Sequence, residues 1–170
     1  VVQAARTYET GTFVLISTDK AVRPTSTMGA TKRIAELLVL AFAGHEASTT
    51  FVAVRFGNVM GSRGSVVPTF MRQIERGGPV TVMDPGMMRY FISIPEAVSL
   101  VIQAGTFGGD GNIYMLDMGE EISILELAER MIRLRGLRPG HDIEVVFTGS
   151  RPGEKLREEL VADFETLDST

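Results

Sequence analysis

Two short, unbroken apolar runs, 13-FVLIS-17 and 51-FVAVRF-56, limit what this chain can become more than any other feature. Neither alternates polar with apolar residues. Each therefore suits a strand buried on both faces, as strands of parallel sheets are. Between them, residues 29–43 carry Ile34, Leu37, Leu38 and Phe42 at helical spacing, with Gly44 as a C-terminal stop. Residues 1–9 read as a helix end halted by Gly11. After the second run comes the glycine-punctuated loop 57-GNVMGSRGS-65. Pro68 then opens a helix to about Arg76, closed by Gly77 and Gly78. Helix, strand, helix, strand, helix is the order of a doubly wound α/β sheet.

From Pro79 the texture changes. Short strands (80-VTVM-83, 113-IYML-116, 143-IEVVF-147) mix with helices expected at 95–105, 123–135 and 153–160. Ser93 with Glu96, and Ser123 with Glu126, have capping-box spacing, and Pro95 suits an early helical position. The expected division is a doubly wound part over 1–78 and a smaller mixed α/β lobe over 79–170.

Composition removes several function classes. There are no cysteines, so disulfides, thiolate metal sites and a cysteine nucleophile are excluded. Of the two histidines, His45 and His141, neither belongs to an HExxH or similar pairing; both read as solvated loop residues, and no metal site is expected. The formal charge of −4 and the lack of a basic or aromatic stripe speak against nucleic acid as a partner. No run reaches the ~18–20 apolar residues of a membrane span, so no direct membrane contact is expected. The opening VVQAARTYETG lacks the form of a signal peptide. It reads as the last turns of a longer helix, so the chain is expected to be a fragment.

In open α/β sheets ligands bind beyond the carboxyl ends of the strands. There the chain places Ser17, Thr18, Asp19 and Lys20. A hydroxyl, a carboxylate and an amine together suit holding a substrate oxygen, moving its proton, or removing a proton beside a carbonyl. A plain Thr-Asp turn with a solvated lysine fits the same residues. Lys32 follows Met28 by four residues, so the two share a helix face. Gly57, Gly61 and Gly64 allow a close backbone approach.

Four stretches in this order, ISTDKAVRPTSTMGATKR, VRFGNVMGSRGSVVPTF, DPGMMRYFISIPEAVSL and TGSRPGEKLREEL, resemble the extended short-chain dehydrogenase/reductase family. More narrowly they resemble the nucleotide-sugar 4,6-dehydratases of bacterial surface-polysaccharide synthesis, the UDP-N-acetylglucosamine 4,6-dehydratase group. The resemblance covers nearly the whole chain. It implies that 1–78 is the C-terminal part of a Rossmann-like NAD-binding domain and that 79–170 is a nucleotide-sugar-binding lobe. The GxxGxxG turn of such domains is not in this sequence, and the upstream Rossmann half of the same parent chain is the implied partner. The cofactor implied is NAD, with NADP as the alternative. The fragment alone is expected to be inactive.

The family pairs tyrosine with lysine as YxxxK; here the stretch is 28-MGATK-32. Lys32 matches the lysine that holds the cofactor ribose. Met28 stands at the tyrosine position and has no proton to exchange. Met28 is thus either packing in an inactive chain, or the mark of a long, membrane-anchored dehydratase branch that carries methionine there. Retention of both Asp19 and Lys20 favours the second. In that branch Thr18 bonds the sugar 4-oxygen, Lys20 takes the proton from carbon 5, and Asp19 donates to the departing 6-hydroxyl. The resemblance further places Phe56, Gly57 and Val59 at the cofactor. It places Asn58 at the sugar, Ser65, Val66 and Arg89 at the diphosphate, and Arg151 and Glu154 at the phosphates or ribose. For Arg151 and Glu154 a helix cap with an ion pair is the plainer alternative. The implied location is cytoplasmic, with the parent anchored at the inner membrane. A homo-oligomer through 34-IAELLVLAF-42 is compatible with the sequence, as is burial of that run within one subunit. Two rivals remain: a nucleotide-sugar 4-epimerase or reductase, and a non-catalytic UDP-sugar-binding module.

Overall fold

The computed structural model describes residues 1–44 and 48–169, so His45 lies outside the described residues. In chain order the elements are α1 (Val2–Thr7), β1 (Thr12–Ile16), a single 3-10 turn (Asp19–Ala21), α2 (Thr27–Phe42), β2 (Thr50–Arg55), β3 (Asn58–Val59) and α3 (Val66–Glu75). Then follow β4 (Val80–Val82), β5 (Met88–Arg89), β6 (Phe91–Ile92), α4 (Ile94–Phe107), β7 (Ile113–Met115), β8 (Ile122–Ser123), α5 (Ile124–Leu134) and β9 (Val145–Phe147). The fold is α/β.

The chain divides into two compact units. The first comprises Val1–Gly57, Pro95–Asp117 and Glu159–Thr170; the second comprises Asn58–Ile94 and Met118–Glu158. Where the sequence suggests one cut after Gly78, compactness divides the chain discontinuously. The reason is strand pairing: β7, far along the chain, completes the sheet of the first unit.

That sheet is parallel, in the order β1-β2-β7, with Phe13 beside Phe51, Leu15 beside Ala53 and Val54 beside Tyr114. Side chains alternate between faces. Phe13, Leu15 and Phe51 pack with Ala5, Val39 and Phe42 of α1 and α2. Val14 and Val54 pack on the other face with Leu100 and Ala104 of α4. Helices thus cover both faces, as the doubly wound expectation requires. β2 is buried throughout from Phe51 to Arg55, but β1 is only half-buried. The expectation of a strand buried on both faces holds for β2 and not for β1, which ends the strand order among the described residues.

The second unit is built around Phe70 and Ile74 of α3, Val80 and Val82 of β4, Met87, Ile143, and Ile124, Ala128 and Ile132 of α5. The four-residue spacings on both helices turn these side chains inward together. Burial of each larger one stabilises by about 1.5–3 kcal/mol. β4 pairs in parallel with β9, β3 in parallel with β6, and β5 antiparallel with β8. Ser123 caps α5, accepting from the Glu126 N–H, as its spacing predicts.

Two expectations are corrected. The predicted helix 153–160 does not form. Its carbonyls are used elsewhere: Leu156 O accepts from Met88 N at 2.9 Å, and Lys155 O from Arg89 at 2.8 Å. α3 starts at Val66, two residues before Pro68; the first helical turn needs no intrahelical N–H partner, so proline is accepted inside it. The helix expected over 29–43 forms as α2; of its apolar stripe, Ile34, Leu37 and Leu38 are exposed in this chain, and the helix buries Gly29, Glu36 and Val39.

Candidate active site

The parallel register brings the ends of β1 and β2 side by side, and Ser17 N continues the ladder to Val54 O at 2.7 Å. Beyond them the 3-10 turn begins. Thr18 caps it, its hydroxyl accepting from Lys20 N, and Asp19 N donates to Phe56 O at 3.2 Å. The turn therefore hangs from both strands. Asp19 is fully buried. Its Oδ1 accepts the Thr18 hydroxyl at 2.8 Å and the Lys20 ammonium at 2.9 Å. Its Oδ2 meets no hydrogen-bond partner among the described residues. A buried carboxyl oxygen without a partner is costly. Here it sits in a cluster that also offers a hydroxyl and an amine.

The start of α2 packs directly on this turn. Ser26 caps the helix by accepting from Gly29 N at 3.1 Å. A Cβ on Gly29 would collide with Lys20 O and press on Pro24, so only glycine lets the helix approach so closely. Met28 precedes it and is 49% exposed, outside the buried core of this chain. One turn on, the Lys32 ammonium donates to Ile16 O at 3.1 Å, at the carboxyl end of β1. Thr18, Asp19, Lys20, Lys32, Phe56 and Gly57 thus share one end of the first unit's sheet.

The remaining expected residues lie in the second unit. Asn58 and Val59 form β3, with Asn58 N bonded to Tyr90 O at 2.9 Å. Ser65 precedes Val66 at the start of α3; its side chain makes no cap bond, and its buried Oγ has no partner among the described residues. Arg89 is 3% exposed. Its Nη1 donates to Met88 O and Leu156 O, and its Nη2 to Lys155 O and the Glu154 carboxylate, all within 3.1 Å. In this conformation Arg89 holds the 154–156 segment, and a diphosphate contact requires Glu154 to give way. Glu154 pairs with Arg89 and not with Arg151, which is exposed, so the helix-cap alternative for Arg151 and Glu154 does not form.

One group escaped the sequence reading. Glu36, buried in α2, accepts the Ser17 hydroxyl at 2.6 Å, Arg55 Nε at 3.1 Å, Arg55 Nη2 at 2.8 Å and Arg33 Nη1 at 2.8 Å. Arg55 also meets both Glu165 oxygens, at 2.8 and 3.1 Å. Burial pushes the Glu36 carboxyl up, but hydrogen bonds from Arg55, Ser17 and Arg33 outweigh it and hold the group below the ordinary range. Burial pushes Glu165 up as well, but bonds from Arg55 and from Ala162 N bring it down to about 2. Arg55 is held above its ordinary value: burial pulls it down, and bonds to Glu165 and Glu36 overcome that. The available signal was strand alternation, since Ser17 and Arg55 continue the inward series Phe13, Leu15 and Phe51, Ala53.

Residues 1–170 match the family described as polysaccharide biosynthesis protein. The capsular polysaccharide biosynthesis protein CapD of Staphylococcus aureus is 55% identical over 95% of this chain and 27% of its own length. The UDP-glucose 4-epimerase of Rickettsia bellii is 35% identical over 97% of this chain and 48% of its own. The chain thus spans between about a quarter and half of the relatives it matches. Among solved structures, Pen from Bacillus thuringiensis is 38% identical with a TM-score of 0.87, covering 94% of this chain and 50% of that one. MoeE5 in complex with UDP-glucose and NAD is 25% identical with a TM-score of 0.74, covering 95% of this chain and 58% of that one. Among the described residues no helix is long and apolar enough to cross a membrane.

Proposed function

The chain belongs to the polysaccharide biosynthesis protein family of extended short-chain dehydrogenase/reductases, and from this premise we propose that the intact protein is a nucleotide-sugar 4,6-dehydratase. It takes a UDP-N-acetylglucosamine-type substrate to the 4-keto-6-deoxy sugar, in the cytoplasm, for surface polysaccharide.

The observation that carries this reading is the buried Asp19 cluster, with two donors on Oδ1 and none on Oδ2. Simple 4-epimerisation needs no acid and base for a 6-hydroxyl; elimination of water needs both. Thr18 holds the sugar 4-oxygen while the 4-hydroxyl proton passes to water. With the proton of the Lys20–Asp19 pair shifted onto Asp19, Lys20 is a neutral amine and takes the proton from carbon 5, made acidic by the 4-ketone. Asp19 donates a proton to the departing 6-hydroxyl, which leaves as water. Lys20 later returns a proton to carbon 5, and Asp19 regains one from water, replacing the 4-hydroxyl proton released there, so the protons balance. Bound NAD supplies the hydride acceptor at carbon 4 and the donor at carbon 6. Lys32, beside Ile16 O at the sheet end, and the buried Gly57 suit its nicotinamide ribose end. NAD and UDP are favoured by MoeE5, solved with UDP-glucose and NAD. In the second unit, Asn58, Ser65, Arg89, Arg151 and Glu154 are assigned to the nucleotide sugar.

The Rickettsia relative favours a second reading, a 4-epimerase. The two separate in deuterated water with the intact protein and UDP-N-acetylglucosamine, followed by mass spectrometry for mass and NMR for configuration. Loss of one water with uptake of deuterium is expected. A new epimer of unchanged mass assigns the epimerase instead. Lys20→Ala is expected to lower turnover by about 10²–10⁴; unchanged turnover removes Lys20 as the base.

A further inference from the structure

We infer that Ser17, Glu36 and Arg55 are positioning residues that hold the Thr18–Lys20 turn and Lys32 in register with each other. The inference rests on the reading that this turn carries the chemistry. On the sheet face toward α2 the strands are apolar until their last inward residues, Ser17 and Arg55, which meet Glu36. Each member adjoins a site residue. Ser17 precedes Thr18. Arg55 precedes Phe56, whose carbonyl holds Asp19 N at 3.2 Å. Glu36 lies one helical turn after Lys32.

Glu36 is itself unsuited to acid or base work. Ser17 and Arg55 Nε occupy Oε1, Arg55 Nη2 and Arg33 Nη1 occupy Oε2, and the side chain is fully buried. Four convergent bonds fix its orientation. Stability alone does not call for such a cluster, because well-packed apolar residues in place of buried ions are often neutral or stabilising. What the ions add is direction. The Arg55–Glu36 pair ties the end of β2 to the middle of α2, and the Ser17 bond passes that geometry to the turn.

The test uses Ser17→Ala in the intact protein. This removes one hydroxyl and leaves the Glu36–Arg55 pair in place. Two readouts are taken at equal folded fraction, set by thermal melting. The first is steady-state kinetics with UDP-N-acetylglucosamine. Here kcat is expected to fall on the order of tenfold, with KM for the nucleotide sugar held within about twofold, as displacement of a catalytic group affects the reacting state more than binding. The second is amide hydrogen exchange, expected to quicken at Asp19 and Lys20 and to stay unchanged in α5. Glu36→Gln, which removes the charge on the network, is expected to lower kcat further. Unchanged kcat and exchange in Ser17→Ala overturns the inference. So does a loss of activity that merely tracks the loss of folded protein. If the wild-type protein does not turn over the sugar nucleotide, the dehydratase reading fails, and the exchange comparison alone decides the positioning role.

Discussion

Each compact unit buries an arginine, and the two are satisfied in different ways. Arg55, 2% exposed, is held by the carboxylates of Glu36 and Glu165 and by Leu160 O. Arg89, 3% exposed, is held mainly by main-chain carbonyls of Met88, Lys155 and Leu156, with the Glu154 carboxylate at 2.8 Å and that of buried Glu158 farther off at 3.9 Å. Arg55 crosslinks regular elements at the end of a sheet. Arg89 organises a segment that has no regular structure of its own. The first unit therefore places charge where its strands end, whereas the second keeps a wholly apolar centre and uses its arginine at the edge of it. The lesson is that similar burial of one residue type serves two tasks, distinguished by the charge of the acceptors.

The largest effect is expected from Arg55→Met. It leaves Glu36 buried without its main partner, and the loss is about 3–5 kcal/mol by denaturant unfolding. Ile132→Ala, in the apolar centre of the second unit, follows at about 2–5 kcal/mol, with no dependence on pH. Arg89→Met is expected to cost less than Arg55→Met, about 1–3 kcal/mol, because it orphans mostly uncharged carbonyls. Equal losses for the two arginines would erase the distinction between them.

Acid sharpens the comparison. Glu36 and Glu165 are both held below the ordinary carboxylate value of 4.5, Glu165 at about 2. For groups depressed on folding, the stabilisation is present above the unfolded value and is lost as pH falls through the folded one. Melting temperature is therefore expected to decline from near pH 5 toward pH 2 in the wild type, by about the linkage slope of these carboxylates. The decline is expected to be shallower in Arg55→Met and unchanged in Ile132→Ala. A parallel decline in all three proteins would remove the ionic network as its cause. The smallest effect is expected from Arg133→Ala. This breaks an exposed pair with Glu129, 2.7 Å apart on one face of α5, and changes stability by less than about 0.5 kcal/mol.

Much of the fold was legible in local pattern. The runs at 13–17 and 51–56 became β1 and β2, and Ser123 with Glu126 became the start of α5. Gly44, read as a helix stop, has a φ of 73°, in the region that glycine adopts most easily. These signals act through chain neighbours, so sequence carries them. The buried face of α2 was not legible, because hydrophobicity alone left Leu37 and Leu38 open between an interface and the interior and gave no sign of Glu36. A charge goes inside only when partners from other elements await it, and Ser17 and Arg55 supply them. The helix expected at 153–160 failed for the same kind of reason, since Met88 and Arg89 take its carbonyls.

The sequence by itself determined the α/β class, the order of strands and helices, and the placement of Thr18, Asp19 and Lys20 at a strand end, because periodicity and turn chemistry are local. Only the tertiary structure decided that Asp19 keeps one oxygen without a partner, that Glu36 and not Leu37 faces inward, and that β7 returns to the sheet of β1 and β2. Each of these depends on groups far apart in the chain that meet only once the sheet has formed. The energy of a buried polar atom is set by whether such a distant partner arrives.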